Sequence, residues 1–135
     1  MSKKLSCILL VDDDPDDNHY HQIIIKRMNI VDHVQVAGNG IEALAYLRNE
    51  ANKPPEIIFL DLNMPKMNGW EFLEQYKNFS PEKKVKVLVV ILTTSANPDD
   101  VKRGKEVADV TSFETKPLTE ELLSDILQKY FPDHV

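Results

Sequence analysis

The sequence has one cysteine, no long hydrophobic run and no excess of positive charge, and each shortage excludes a class of protein. Cys7 alone cannot form an intramolecular disulfide or a zinc site built on several thiolates. No apolar stretch approaches the roughly 18 residues that cross a bilayer, so we expect no membrane association and a cytoplasmic location. The net charge of -6 argues against nucleic acid as a direct partner, because binding to phosphates requires a basic surface.

The 135 residues, 42% hydrophobic and 28% charged, have the composition of an ordinary folded domain. We therefore expect residues 1–135 to form a single domain with no output domain. Short apolar runs alternate with amphipathic stretches, which predicts an α/β fold with a doubly wound, five-stranded parallel sheet and five helices. The predicted strands are Leu5 to Val11, Val34 to Ala37, Ile57 to Leu60, Val85 to Leu92 and a last strand ending at Phe113 to Thr115. The predicted helices begin at Pro15, after Gly40, at Trp70, after Asn97 and near Thr119.

Aspartates follow two of the apolar strands directly. Asp12 and Asp13 come after the first strand, and Asp61 comes after Ile57 to Leu60, which is apolar throughout and so suits the covered centre of the sheet. Parallel α/β sheets place their ligands at the carboxyl ends of strands, so three carboxylates would share one pocket. Such a group predicts a hard divalent cation, with Mg²⁺ the first candidate. The acids at 12–17 alone would also fit a solvated helix start, but Asp61 favours a site.

Further chemical groups stand at the ends of the last two strands. Thr93 and Thr94 close the fourth strand, and Lys116 follows the fifth. A hydroxyl, an ammonium and a spare carboxylate around a metal are the groups that phosphoryl transfer uses, with the carboxylate as nucleophile.

Four motifs in order now resemble the receiver domain of two-component response regulators. They are Val11-Asp12-Asp13-Asp14, Leu60-Asp61-Leu62-Asn63-Met64-Pro65 with Gly69, Leu92-Thr93-Thr94, and Phe113 before Lys116-Pro117. The resemblance extends over essentially the whole chain. It implies a flavodoxin-like sheet with the strand order 2-1-3-4-5, which the handedness and spacing of the elements do not give by themselves.

The resemblance also implies a role for each acidic residue. Asp61 would accept a phosphoryl group as an acyl phosphate, and Asp12 and Asp13 would bind Mg²⁺ together with Asp61 and the backbone carbonyl of Asn63. Family members further imply that Asn63 and Ser95 influence how fast the phosphoryl group is lost.

The remaining motif residues would form the switch. Lys116 would pair with phosphoryl oxygens, and Thr93 would move its hydroxyl to the phosphoryl group and let Phe113 change rotamer. Pro117 would follow a cis peptide bond. Thr93 is preferred over Thr94 because it aligns the following acidic pair without a gap. Phe113 taken alone is equally well explained as a core aromatic.

The implied partners are a sensor histidine kinase or a histidine phosphotransfer protein as phosphoryl donor, and an unknown downstream protein. A homodimer through the face of the fourth helix and fifth strand is possible, although the longer segment 106–111 changes that face.

The rival functions are a phosphohydrolase, a module that has lost the chemistry, and a flavin-binding protein. Asn63 stands where the hydrolase would need an acid, and the acidic first loop does not suit flavin phosphate.

The histidines carry no prediction of chemistry. His19 and His21 are two residues apart, a spacing that does not place them on one helical face, so we expect both at the surface.

Overall fold

The structure is a computed structural model and describes residues 4–94 and 97–132. The described residues form five strands and six helices, and strands and helices alternate except between β3 and β4, where two helices follow one another. The strands are β1 (Leu5–Val11), β2 (Val31–Ala37), β3 (Ile57–Leu60), β4 (Leu88–Thr93) and β5 (Val110–Thr115). The helices are α1 (Pro15–Met28), α2 (Gly40–Arg48), α3 (Gly69–Tyr76), α4 (Pro81–Lys84), α5 (Pro98–Glu106) and α6 (Glu120–Tyr130).

All five strands are parallel and lie in the order β2-β1-β3-β4-β5, which confirms the expected α/β fold and its strand order. The sheet separates two hydrophobic clusters, one on each face. Ile58 and Leu60 of β3 belong to one cluster, while Ile57 and Phe59 belong to the other. All four β3 side chains are buried, because helices cover both faces of the central strand.

The principal difference from the predicted elements is α4, a short helix that the sequence analysis did not predict. We expected a strand from Val85, but Pro81 begins a single helical turn after Ser80, and Val85 ends it with a relative exposure of 76%. Proline at the first helical position is favourable, and this local signal outweighs the β-branched side chain at Val85. The fourth strand therefore starts at Leu88, and the predicted fourth helix is α5.

Side-chain caps fix the helix starts near the carboxyl edge of the sheet. The Asp14 side chain accepts hydrogen bonds from the backbone N–H groups of Asp16 and Asp17, and Asn97 accepts one from Asp99. Both caps precede a proline at the first helical position, as the sequence predicts. Within residues 4–94 and 97–132, no helix combines the length and the apolar character that crossing a bilayer would require.

Candidate functional site

The register of the central strands places two aspartates side by side. Val11 of β1 pairs with Leu60 of β3, so Asp12 and Asp61 follow at the same level of the sheet. The Asp61 N–H donates to the Val11 carbonyl at 2.9 Å, which continues the ladder one residue beyond the strands. The side chains of both aspartates are buried, with residue exposures of 4% and 7%. The sheet itself therefore fixes the position of these two carboxylates.

Asp13 completes a cluster with these two residues. One carboxylate oxygen from each of Asp12, Asp13 and Asp61 lies within 4.8 Å of the others, and Asp13 is the exposed member. Three carboxylate oxygens at this separation match the donor set that Mg²⁺ and Mn²⁺ prefer, so the residues fit a hard divalent cation. Asn63 is exposed two residues beyond Asp61. Its carbonyl as a further ligand stays a prediction.

Lys116 brings the positive charge to this cluster. Its Nζ lies 2.6 Å from Asp12 Oδ2 and 3.7 Å from Asp61 Oδ2. The exposed fraction of its side chain is 9%. The third ion pair, at 2.7 Å, is with Asp17 Oδ2 in the first turn of α1. No role at the site was predicted for Asp17 from the sequence. Because Asp17 and Lys116 are 99 residues apart, no local motif could have paired them.

The acidic cluster changes the protonation of its own members. Burial, followed by the neighbouring Asp12 carboxylate, raises the pKa of Asp61 to about 6, although Lys116 and backbone hydrogen bonds oppose the rise. Burial alone would lower the pKa of Lys116. Its hydrogen bonds to Asp12 and Asp17 outweigh that effect and hold the pKa above its ordinary value. Lys116 is therefore a permanent ammonium, and Asp61 is a carboxylate that is costly to ionise without a further cation.

The two threonines differ sharply in environment. Thr93 is fully buried at the end of β4, and its carbonyl accepts the Lys116 N–H at 2.8 Å. Thr94 is exposed. The peptide bond between Lys116 and Pro117 is cis, as the resemblance implies. Ser95 lies outside the described residues.

Phe113 packs against the backbone of α5. A Cβ added to Gly104 would come within 2.7 Å of Phe113 Cδ2, so the ring occupies space that only glycine leaves open. The neighbouring Arg103 lies over the Trp70 ring, 4.3 Å from its centroid, and links α5 to α3. The predicted switch residue Phe113 therefore contacts the helix that its movement would displace.

The loop after Asp61 is fastened at its far end. The Gly69 N–H donates to the Leu62 carbonyl at 3.0 Å, and a Cβ at Gly69 would lie 2.6 Å from the Asp61 carbonyl oxygen. Asn68 and Glu71 form a capping box that starts α3 at this point. The close approach explains the need for glycine at position 69 and places the start of α3 against the backbone of Asp61.

The expectation for one histidine is wrong. His19 is exposed, but His21 is 3% exposed, and its Nε2 accepts the Leu118 N–H at 3.2 Å. A spacing of two residues excludes a shared helical face for the two histidines, but it does not show which of them is buried. Burial, with a further contribution from Lys116, lowers the pKa of His21. His21 thus joins α1 to the turn that follows Lys116 as a neutral acceptor.

Several known proteins with similar sequences or structures are response regulators. The chain is 40% identical over 98 residues to the response regulator Rcp1 of Synechocystis sp., a match that covers 70% of this chain and 65% of Rcp1. It therefore spans slightly less than two thirds of that relative. The crystal structure of a two component response regulator from Cytophaga hutchinsonii has a TM-score of 0.87 at 31% identity, covering 96% of this chain and 99% of the other.

A metal-bound structure and a family model complete the comparison. The Mn(2+)-bound form of response regulator Rcp1 has a TM-score of 0.75 at 33% identity and covers 96% of each chain. Residues 8–128 match the model of the response regulator receiver domain, which includes Asp12, Asp13, Asp61 and Lys116. The match takes in most of the sequence and all of the clustered acids. The chain therefore belongs to the receiver domains of two-component response regulators.

Proposed function

We propose that this receiver domain accepts a phosphoryl group on Asp61 and that the modification changes a protein-binding surface. The observation that carries the proposal is the placement of Asp61 beside two aspartates and within 3.7 Å of the Lys116 ammonium. Receiver domains take their phosphoryl groups from histidine kinases or phosphotransfer proteins. We infer the same class of donor here, and a cytoplasmic location remains part of the proposal.

In the proposed step, an Asp61 carboxylate oxygen attacks the phosphorus of a phosphohistidine. A P–O bond forms, the P–N bond breaks, and the imidazole leaves and takes up a proton. Asp12, Asp13 and Asp61 would hold Mg²⁺, which supplies positive charge to the phosphoryl oxygens when bound. Lys116 supplies the second positive charge. The domain thus catalyses its own modification and the later hydrolysis, and it is not a conventional enzyme.

The proposed response begins at Thr93. Thr93 is the last residue of β4, and its carbonyl accepts the hydrogen bond of the Lys116 N–H. We propose that the Thr93 hydroxyl moves to the phosphoryl group and that Phe113 changes rotamer, which would shift α5 and β5. An unidentified protein, or a second copy of this chain, would read that face. The single-domain organisation expected for residues 1–135 stays a prediction.

The test is intact mass after incubation with a small acyl phosphate, with and without Mg²⁺, for the wild type and Asp61→Asn. The proposal predicts a gain of one phosphoryl group that requires Mg²⁺ and is absent from the variant. Label that persists on Asp61→Asn would refute the assignment of the acceptor. Continuous release of phosphate over many turnovers, without accumulation of the phosphorylated form, would favour a phosphohydrolase instead.

A further inference from the structure

The Lys116 ammonium has more acidic neighbours than the proposed phosphoryl transfer requires. Its Nζ lies 2.6 Å from Asp12 and 2.7 Å from Asp17, but 3.7 Å from Asp61. The two short contacts are hydrogen-bond distances, whereas the third is not. In this structure the ammonium is therefore bound more closely to residues other than the phosphoryl acceptor.

Asp17 is anchored independently of the metal cluster. It lies in the first turn of α1, where its N–H donates to the Asp14 side chain, and α1 buries Ile24 and Ile25 in the core. Asp17 is not a member of the three-aspartate group. Its side chain is 35% exposed, so its carboxylate can lose the ammonium to another partner and still be solvated by water. The Asp12 side chain, in contrast, is 6% exposed, so water would solvate its carboxylate far less if the ammonium left.

We propose that Asp17 is a positioning residue that holds the Lys116 ammonium away from Asp61 in the unphosphorylated domain. An ammonium has three N–H donors, and Asp12 and Asp17 occupy two of them at short distance. These two contacts leave the Nζ 3.7 Å from Asp61, and we infer that its movement toward a phosphoryl group there lengthens one of them. The Asp17 contact is the one whose loss leaves a carboxylate that water can solvate. This inference rests on the proposed function, because it assigns Asp17 a restraint on phosphoryl uptake.

The matched pair of variants is Asp17→Asn and Asp16→Asn. Both remove one negative charge from the first turn of α1, so they change the net charge of the domain equally. Among the described residues, the ion-pair partners of Lys116 are Asp12, Asp17 and Asp61, and Asp16 is not one of them. Any difference between the two variants therefore reports the contact with Lys116. Asp17→Glu restores the charge and serves as the rescue variant.

The rate of phosphoryl uptake from a small acyl phosphate at fixed Mg²⁺ is the first readout. We expect uptake by Asp17→Asn to be about two- to fivefold faster than by Asp16→Asn, the range that a partly exposed ion pair supports. Asp17→Glu should return the rate to that of the wild type. In a Lys116→Ala background the two asparagine variants should be equal, because the double-mutant cycle removes the shared partner.

The second readout is the ¹⁵N resonance of the Lys116 ammonium, which does not depend on phosphorylation. Asp17→Asn should shift or broaden it, while Asp16→Asn should leave it unchanged. An unchanged resonance in Asp17→Asn, or uptake no faster than in Asp16→Asn, overturns the inference. If the wild type itself takes up no phosphoryl group, the proposed function fails and the restraint fails with it. A wild type that is phosphorylated, with equal rates for the two variants, overturns the restraint alone.

Discussion

The aromatic ring of Phe113 lies against the α-carbon of Gly104, in the space that a side chain at position 104 would fill. A Cβ there would lie 2.7 Å from Cδ2 of the ring and 3.5 Å from Cδ1 of Ile91. Gly104 is also the only residue of α5 that is buried among those described. Gly104 is therefore a point of close contact between α5 and β5, and the position of the Phe113 ring depends on it.

Gly104→Ala should displace Phe113 from this contact. Overpacking of a fitted contact costs about 1–3 kcal/mol, and the gain in helix propensity from alanine offsets up to about 1 kcal/mol of that. We expect a net loss in the free energy of unfolding, measured by urea denaturation, and a larger solvent-exposed fraction of Phe113. Adding Phe113→Ala should remove the clash and recover stability relative to the additive expectation. Simple additivity of the two changes would contradict the contact.

Asp61→Asn should stabilise the metal-free domain at neutral pH. Since the folded-state pKa of Asp61 is about 6, the folded protein binds this proton more tightly than the unfolded chain does. Stability therefore falls as pH rises from about 4 to 6, by at most about 3 kcal/mol for this group. In the presence of a chelator, Asp61→Asn should exceed the wild type at pH 7.5 and lose that advantage near pH 4. Asp16→Asn, an exposed carboxylate, is the control for net charge.

Mg²⁺ should raise the thermal unfolding midpoint of the wild type, because a ligand that binds only the folded state stabilises it by mass action. Asp13→Asn removes an exposed member of the carboxylate cluster and should weaken this response. Asp16→Asn should retain it. We expect Lys116→Ala to keep the Mg²⁺ response while impairing the switch, since its ammonium is not a metal ligand. An equal response in Asp13→Asn and Asp16→Asn would contradict the proposed cation site.

His21 should make the wild type lose stability as pH falls below about 6.5, the ordinary pKa of histidine. Its folded-state pKa is lowered, so below that pH the unfolded chain takes up a proton that the folded protein does not. His21→Gln cannot titrate and should lose less stability between pH 7 and pH 5, measured by denaturant unfolding at each pH. His19→Gln, on the exposed face of the same helix, should behave like the wild type.

The choice between Thr93 and Thr94 as the switch hydroxyl can be made by a matched pair of alanine variants. Thr93 is fully buried, whereas Thr94 is exposed. We expect Thr93→Ala to accept a phosphoryl group but to lose the change in environment of Phe113 that follows, measured by ¹⁹F NMR of a fluorinated phenylalanine. Thr94→Ala should keep that change. The reverse result would assign the switch to Thr94.

The gathering of the aspartates followed from features that the sequence states directly, whereas the strand order followed from the family resemblance. Val11 and Leu60 end apolar runs, so the residues after them fall at one edge of a parallel sheet whatever the details of packing. The missed contacts are of another kind. Asp17 meets Lys116 across 99 residues and His21 meets Leu118 across 97, and each depends on the angle at which α1 crosses the sheet.

The short helix α4 was not predicted because the residues that follow it have the pattern of a strand. Val85, Val87 and Leu88 together resemble the start of a strand, but the proline at 81 and the tie from the Leu88 N–H to the Glu56 carbonyl set where the strand begins. Similarly, the spacing of apolar residues could not identify Gly104 as the site that receives Phe113, since glycine in a helix shows no pattern of its own.

The burial of β3 on both faces divides the molecule mechanically. Asp61 follows β3, which lies between the strands β1 and β4 and is buried on both faces. Its backbone therefore has almost no freedom to move. The edge strand β5 has no fully buried residue, and Gly104 is the one buried residue of α5 among those described. We therefore expect a phosphoryl charge on Asp61 to move β5 and α5, which are less tightly packed, and not β3. Amide hydrogen exchange should be slowest in β3, and the change in exchange rate after phosphorylation should be largest in α5.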